Sequence, residues 1–167
     1  MLSTVKLILA VLTFAMVGSA SHAMHPQTDL IVRWTSPDGE VLSERILEEA
    51  DIAALEQREI RTNTAWTDGV QTFSGPPIGV LAALGPLRAR QATFIALNAY
   101  LETLPAEDWT EHGAILAVKR NGMHMDIREH GPYWVMYPID SDPDTLDTQR
   151  YYGRMVWQVK GSGFVVE

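Results

Sequence analysis

The sequence predicts an α+β fold, rich in strands and carrying only a few short helices. Short runs of branched or alternating residues recur between turn signals. The helical patterns are short and few. The strands do not alternate regularly with long helices, which argues against a doubly wound parallel sheet.

The chain opens on a processing segment. Lys6 gives a positive start, Leu7 to Val17 is apolar apart from Thr13, and residues 18–23 are mostly small. This pattern predicts a signal peptide over residues 1–23, cut after Ala20 or Ala23, because the run is short for a membrane span. Residues 24–167 are then one domain in size. Met24 to Thr28 reads as a loose new terminus. Leu30 to Trp34 alternates and reads as a strand, Pro37-Asp38-Gly39 as a turn, and Val41 to Leu47 as the returning strand. Glu48 to Gln57 is a short helix with Asp51 as its cap. Glu59 to Ala65 and Val70 to Phe73 are strands around the turn Thr67-Asp68-Gly69, and Ser74 to Pro77 breaks the chain.

Pro77 to Leu84 is a short apolar helix that Gly85-Pro86 stops. Ala92 to Leu97 is a buried strand, followed by Asn98 to Leu104, with a helical turn over Ala106 to Glu111. Ala114 to Lys119 leads into Asn121-Gly122, the strongest hairpin signal in the chain. Met123, Met125 and Ile127 then share one strand face. Tyr133 to Ile139 is a buried strand, the Asp-rich stretch Ser141 to Thr148 a surface loop, and Arg150 to Val159 a closing strand.

Composition excludes several classes. There is no cysteine, so neither disulfides nor thiolate ligands are available. The formal net charge is -8, and the segment 1–23 contributes a lysine and no acid. Nucleic-acid binding needs a basic face, and recruitment to anionic lipid needs one too. No partner of either kind is expected, nor direct membrane binding once the signal peptide is removed. Hydrolase motifs are missing: no G-x-S-x-G, H-E-x-x-H or P-loop occurs. Asp140, Asp142, Asp144 and Asp147 lack the spacing of a calcium loop.

Two constellations carry chemistry. Met123-His124-Met125, with His130 nearby, offers thioether and imidazole donors that suit copper, and Met24-His25 is a weaker pair. Against this, methionine two residues apart on a strand is ordinary core. The second set gathers aromatic and polar residues near strand ends: Thr62, Thr64, Trp66, Asn98, Tyr100, Arg128, His130, Arg154 and Trp157. Aromatic faces with a few placed polar groups make a pocket for a flat heterocycle, although each aromatic alone could be core.

The ordered set Phe73-Ser74-Gly75-Pro76-Pro77-Ile78, Ala96-Leu97-Asn98-Ala99-Tyr100, Leu104-Pro105-Ala106-Glu107-Asp108, Gly131-Pro132-Tyr133-Trp134-Val135-Met136-Tyr137-Pro138 and Trp157 resembles a known family. It is similar to the oxidoreductase molybdopterin-binding domain of the sulfite oxidase type, and within that to a short, exported, cysteine-free branch. The resemblance implies a β-rich mixed fold with a cleft for a pterin. Catalytic members hold molybdenum through a cysteine in the region matching Thr64, Ala65 and Trp66, and this chain has none. Where it has Asn98-Ala99-Tyr100 and Val156-Trp157, catalytic members carry Asp-Gly-Tyr and Lys-Trp; they also carry an arginine near the position of Trp134.

The resemblance therefore implies a non-catalytic periplasmic pterin-binding protein, partner to a membrane sensor of the cyclase or kinase kind, with no molybdenum. Trp66, Tyr100 and Trp157 would wall the ring. Thr62, Thr64 and Asn98 would bond its edge, and Arg128 or Arg154 would meet a polar tail. The alternatives are a molybdopterin-dependent oxidoreductase with a non-cysteine ligand, and copper binding.

Overall fold

The computed structural model describes residues 28–167. The expected signal peptide and the Met24-His25 pair lie outside the described residues. In strand β1 (Leu30–Thr35), Leu30, Val32 and Trp34 are fully buried while Ile31 and Arg33 face out. A turn with Gly39 at φ 86° returns the chain as β2 (Val41–Leu47). Helix α1 (Glu49–Ala54) starts one turn earlier than a cap at Asp51 would place it. Glu48 is the N-cap, and Asp51 is the third helical residue whose carboxylate accepts from the Glu48 N–H at 3.0 Å.

Strands β3 (Arg58–Thr62) and β4 (Gln71–Gly75) follow. Ser74 and Gly75, expected to break the chain, continue β4 and pair with Glu59 and Arg58. Pro77 caps helix α2 (Ile78–Ala82). Then come β5 (Ala89–Ala96), β6 (Leu101–Pro105), α3 (Glu107–Thr110), β7 (Ile115–Ala117), β8 (Lys119–Arg120) and β9 (Met123–His124). Asn121 and Gly122 both take positive φ, 53° and 80°, in the β8–β9 turn, as the Asn-Gly signal requires.

The remaining chain departs from expectation in three places. The strand through Ile127 ends at His124, because Asp126 caps a 3-10 turn over Ile127–Glu129 by accepting from the Arg128 N–H. Beyond β10 (Trp134–Met136), the presumed loop holds α4 (Pro143–Leu146), with proline in its first turn and Leu146 buried. Residues expected to close the domain as a strand form α5 (Gln149–Arg154) instead. Tyr151 and Met155, four apart, bury one side of it. The closing strand is β11 (Val159–Val166).

The result is the α+β, strand-rich class expected. One sheet has five strands in the order β2-β1-β11-β5-β6, with β1 and β11 parallel and the other pairs antiparallel. A four-stranded sheet, β3-β4-β8-β9, runs beside the two-stranded β10-β7. Backbone bonds from Leu116 to Pro76 and from Val118 to Ser74 bind these two together. The core between the layers is aromatic. Trp34 stacks on Phe164 at 6.0 Å, and Phe94 and Trp109 meet Phe164 edge-on. The indole N–H of Trp34 donates to the Ala82 carbonyl, which ties α2 to the sheet.

A cavity with aromatic walls

Three distant parts of the chain meet at one cavity of about 470 Å³. The turn after β3 brings Trp66. The tight β5–β6 connection brings Asn98 and Tyr100. Helix α5 and the residues after it bring Gln149, Tyr152 and Trp157. Local chemistry holds each piece. The Thr64 hydroxyl accepts from the Trp66 N–H at 3.2 Å and bonds the Thr67 hydroxyl at 3.1 Å, closing a turn that presents the indole. Ala99 takes φ 67°, and the Asn98 side chain accepts from the Tyr100 N–H at 3.0 Å. The Tyr100 hydroxyl donates to the Gly153 carbonyl at 3.0 Å, joining connection to helix.

The rings are set at steep angles. Trp66 meets Tyr152 edge-on at 5.2 Å and Trp157 at 5.3 Å. Behind them lie Trp134, which is fully buried, and His130, whose ring stacks on Trp134 at 4.4 Å and meets Trp157 at 5.1 Å. Edge-to-face packing of this kind fixes the rings before any ligand arrives.

Four of the nine expected site residues line the cavity: Trp66, Asn98, Tyr100 and Trp157. The other five do not. The Thr62 hydroxyl is fully buried, donating to the Asn63 carbonyl and accepting from the Asp140 N–H. Thr64 spends its hydroxyl on the turn that carries Trp66. Arg128 is exposed on the 3-10 turn, away from the lining. His130 sits one ring removed. Arg154 points inward, donating to the buried Asp108 carboxylate at 2.9 and 3.1 Å. That carboxylate also accepts from the Tyr137 hydroxyl at 2.6 Å.

Sequence reasoning missed Tyr152 and Gln149. The signal was the Tyr151-Tyr152-x-Arg154 run itself. Read as a strand, Tyr152 and Arg154 share a face; wound as α5, they do not.

His130 is the unusual member. Its φ is 75°, a left-handed conformation seldom taken outside glycine, and its buried Nδ1 has no hydrogen-bond partner among the described residues. Burial, and then the charge of Arg120, hold its pKa below the usual histidine value. A folded-state pKa below the unfolded one gives stability that is present above the unfolded value and lost as pH falls through the folded one. His130→Phe keeps a ring against Trp134 and removes the titration. In urea denaturation at pH 7 and pH 5, the variant should lose less stability on acidification than the parent. An equal loss would show that His130 is not a source of the pH dependence.

The donor set does not fit a molybdenum cofactor. The chain has no cysteine, and no His, Asp or Glu lines the cavity to replace one. No Lys or Arg lines it to hold a phosphate. Among the described residues, no group of three or more His, Asp and Glu is placed to hold a metal ion. The Met-His-Met run is dispersed: Met123 is 72% exposed, Met125 is buried, and His124 pairs with Glu49 at 3.4 Å. No helix among the described residues is long and apolar enough to cross a membrane.

Fold and cavity together define a mixed α+β domain with an aromatic-walled pocket. The architecture is similar to that of the sulfane dehydrogenase SoxCD from Paracoccus pantotrophus, with a TM-score of 0.58 over 86% of this chain. Sequence identity is 14%, and the chain spans 40% of that larger one. The likeness is one of fold. No family description and no curated protein matches the sequence.

Proposed function

We propose that this protein binds, without catalysis, a flat hydrogen-bonding heterocycle of the pterin type. In this reading it is exported to the periplasm, and ligand occupancy alters its contact with a membrane signalling protein. One observation carries the ligand half: a cavity of about 470 Å³ walled by Trp66, Tyr100, Tyr152 and Trp157, with Asn98 and Gln149 as neutral polar groups. The volume is that of a small-ligand site, roughly 300–1,000 Å³. Faces of this kind stack a planar ring, and neutral amides can read an edge that mixes donors and acceptors. The lining holds no nucleophile paired with a base, so binding is the chemistry it supports best.

Titration with 6-hydroxymethylpterin, followed by tryptophan fluorescence, tests the ligand. Quenching should saturate, and the melting temperature should rise with ligand. Trp66→Ala should weaken binding about tenfold or more, the scale of one lost ring-on-ring contact. Unchanged fluorescence together with an unchanged melting temperature would end the pterin reading. Export is tested separately, by N-terminal sequencing of protein recovered from a periplasmic fraction, with cleavage expected after Ala20 or Ala23.

A further inference from the structure

The walls of the cavity are uncharged, but its surroundings are not. No Lys, Arg or His lines it. Of the two arginines on its own helix, Arg154 is neutralised by Asp108 at 2.9 Å. Arg150, beside the lining residue Gln149, is exposed and outside the lining. Two acids stand next to tyrosines of the lining. Asp147 accepts from the Tyr152 hydroxyl at 2.7 Å, and Glu102 lies beside Tyr100 on β6. The tyrosines register this. Burial and then Asp147 push Tyr152 up to about 12, with Asp140 adding to it. Burial and then Glu102 raise Tyr100.

We infer that this cavity selects its ligand by charge: it takes flat rings that are neutral or cationic and rejects rings carrying phosphate or carboxylate, with Glu102 and Asp147 setting the sign. The inference rests on the small-molecule binding reading above and narrows its ligand class. An anion entering would leave water for aromatic walls and meet no cation there. A cation would meet ring faces, which attract it, with carboxylates nearby. A pterin would have to arrive without its phosphate.

Two flat probes built on one bicyclic ring test this apart from any pterin: 1-methylquinolinium and quinoline-2-carboxylate, titrated into the full chain by tryptophan fluorescence. The cation should bind at least tenfold tighter, and the gap should shrink in high salt as rim charges are screened. In the double variant Glu102→Gln with Asp147→Asn, which keeps the acceptor for Tyr152, the gap should fall below about threefold. Equal or tighter binding of the carboxylate overturns the inference, and so does binding of neither probe at millimolar concentration. A gap insensitive to both salt and the double variant overturns it too. The parent protein's salt series decides the matter if the double variant does not fold. Loss of pterin binding with the quinoline ranking preserved removes the pterin reading and leaves the charge rule standing.

Discussion

Gly75→Ala should cost about 3 kcal/mol of stability, a drop of about 10 °C in melting temperature. The reason is backbone, not propensity. A Cβ placed on Gly75 would stand 1.9 Å from the Leu116 carbonyl oxygen and 2.8 Å from its carbon. Neither atom is the end of a flexible side chain. Leu116 donates its N–H to the Pro76 carbonyl, and Val118, two residues on, donates to the Ser74 carbonyl, so the two segments are laced together on both sides of the glycine. The methyl group would have to pry β4 from β7 and strain those bonds. Gly163→Ala is the control within the same molecule. It too lies in a strand, yet nothing stands within 4 Å of a Cβ built there. It should be neutral or slightly stabilising, by about 0.5 kcal/mol, from reduced freedom of the unfolded chain. Thermal or urea unfolding of both variants decides it. Equal effects would show that close approach is not what Gly75 serves.

The second large effect lies at the ion pair of Asp108 with Arg154 of α5. Asp108 is 1% exposed and accepts from both Tyr137 and Arg154, whose guanidinium also lies over the Tyr151 ring at 5.6 Å. Asp108→Ala strands a largely buried guanidinium and should cost about 3–5 kcal/mol. Arg154→Leu strands the carboxylate and should cost a similar amount at neutral pH. Removing both should cost clearly less than the sum, since each single change is penalised by the partner it leaves behind. The pH dependence has a defined sign. Burial raises the Asp108 pKa, outweighing the Tyr137 bond and the Arg154 charge. A folded-state pKa above the unfolded one gives stability that is full below the unfolded value and lost as pH rises through the folded one. Without Arg154 the carboxyl is pushed higher still, so the deficit of Arg154→Leu should shrink between pH 7 and pH 5. Additive single effects with a pH-independent deficit would refute the coupling.

Legibility in the sequence followed local rules where those rules acted alone. Alternation over Leu30 to Trp34 and the Asn121-Gly122 turn express one short-range constraint each, and both appear as expected. The class of fold was legible for the same reason. Reading failed where tertiary packing overrode local preference. Tyr151, Tyr152 and Val156 favour strand, yet residues 149–154 wind as a helix that buries Tyr151 and Met155 while Tyr152 lines the cavity. The glycines at 161 and 163 disfavour strand and mask the signal of Phe164, Val165 and Val166. Residues 159–166 nonetheless form the middle strand of the large sheet, paired with β1 on one side and β5 on the other. Of the candidate site, the aromatic half was legible from residue type. The polar half was not, because whether a hydroxyl or guanidinium faces a ligand or another residue depends on partners such as Asp140 and Asp108, far away in the chain.

The place of β11 in that sheet has a consequence in time. Residues 159–166 lie between β1 and β5, and β1 is more than a hundred positions earlier in the chain. Before they emerge, β1–β2 and β5–β6 are two separate hairpins with no shared edge, and a lone hairpin is at best marginally stable in water. The large sheet therefore cannot assemble stepwise during synthesis; it closes when its middle arrives. A chain organised in this way leaves both hairpins without their shared partner until that strand is made. It also makes the sheet sensitive to the loss of a few residues of β11.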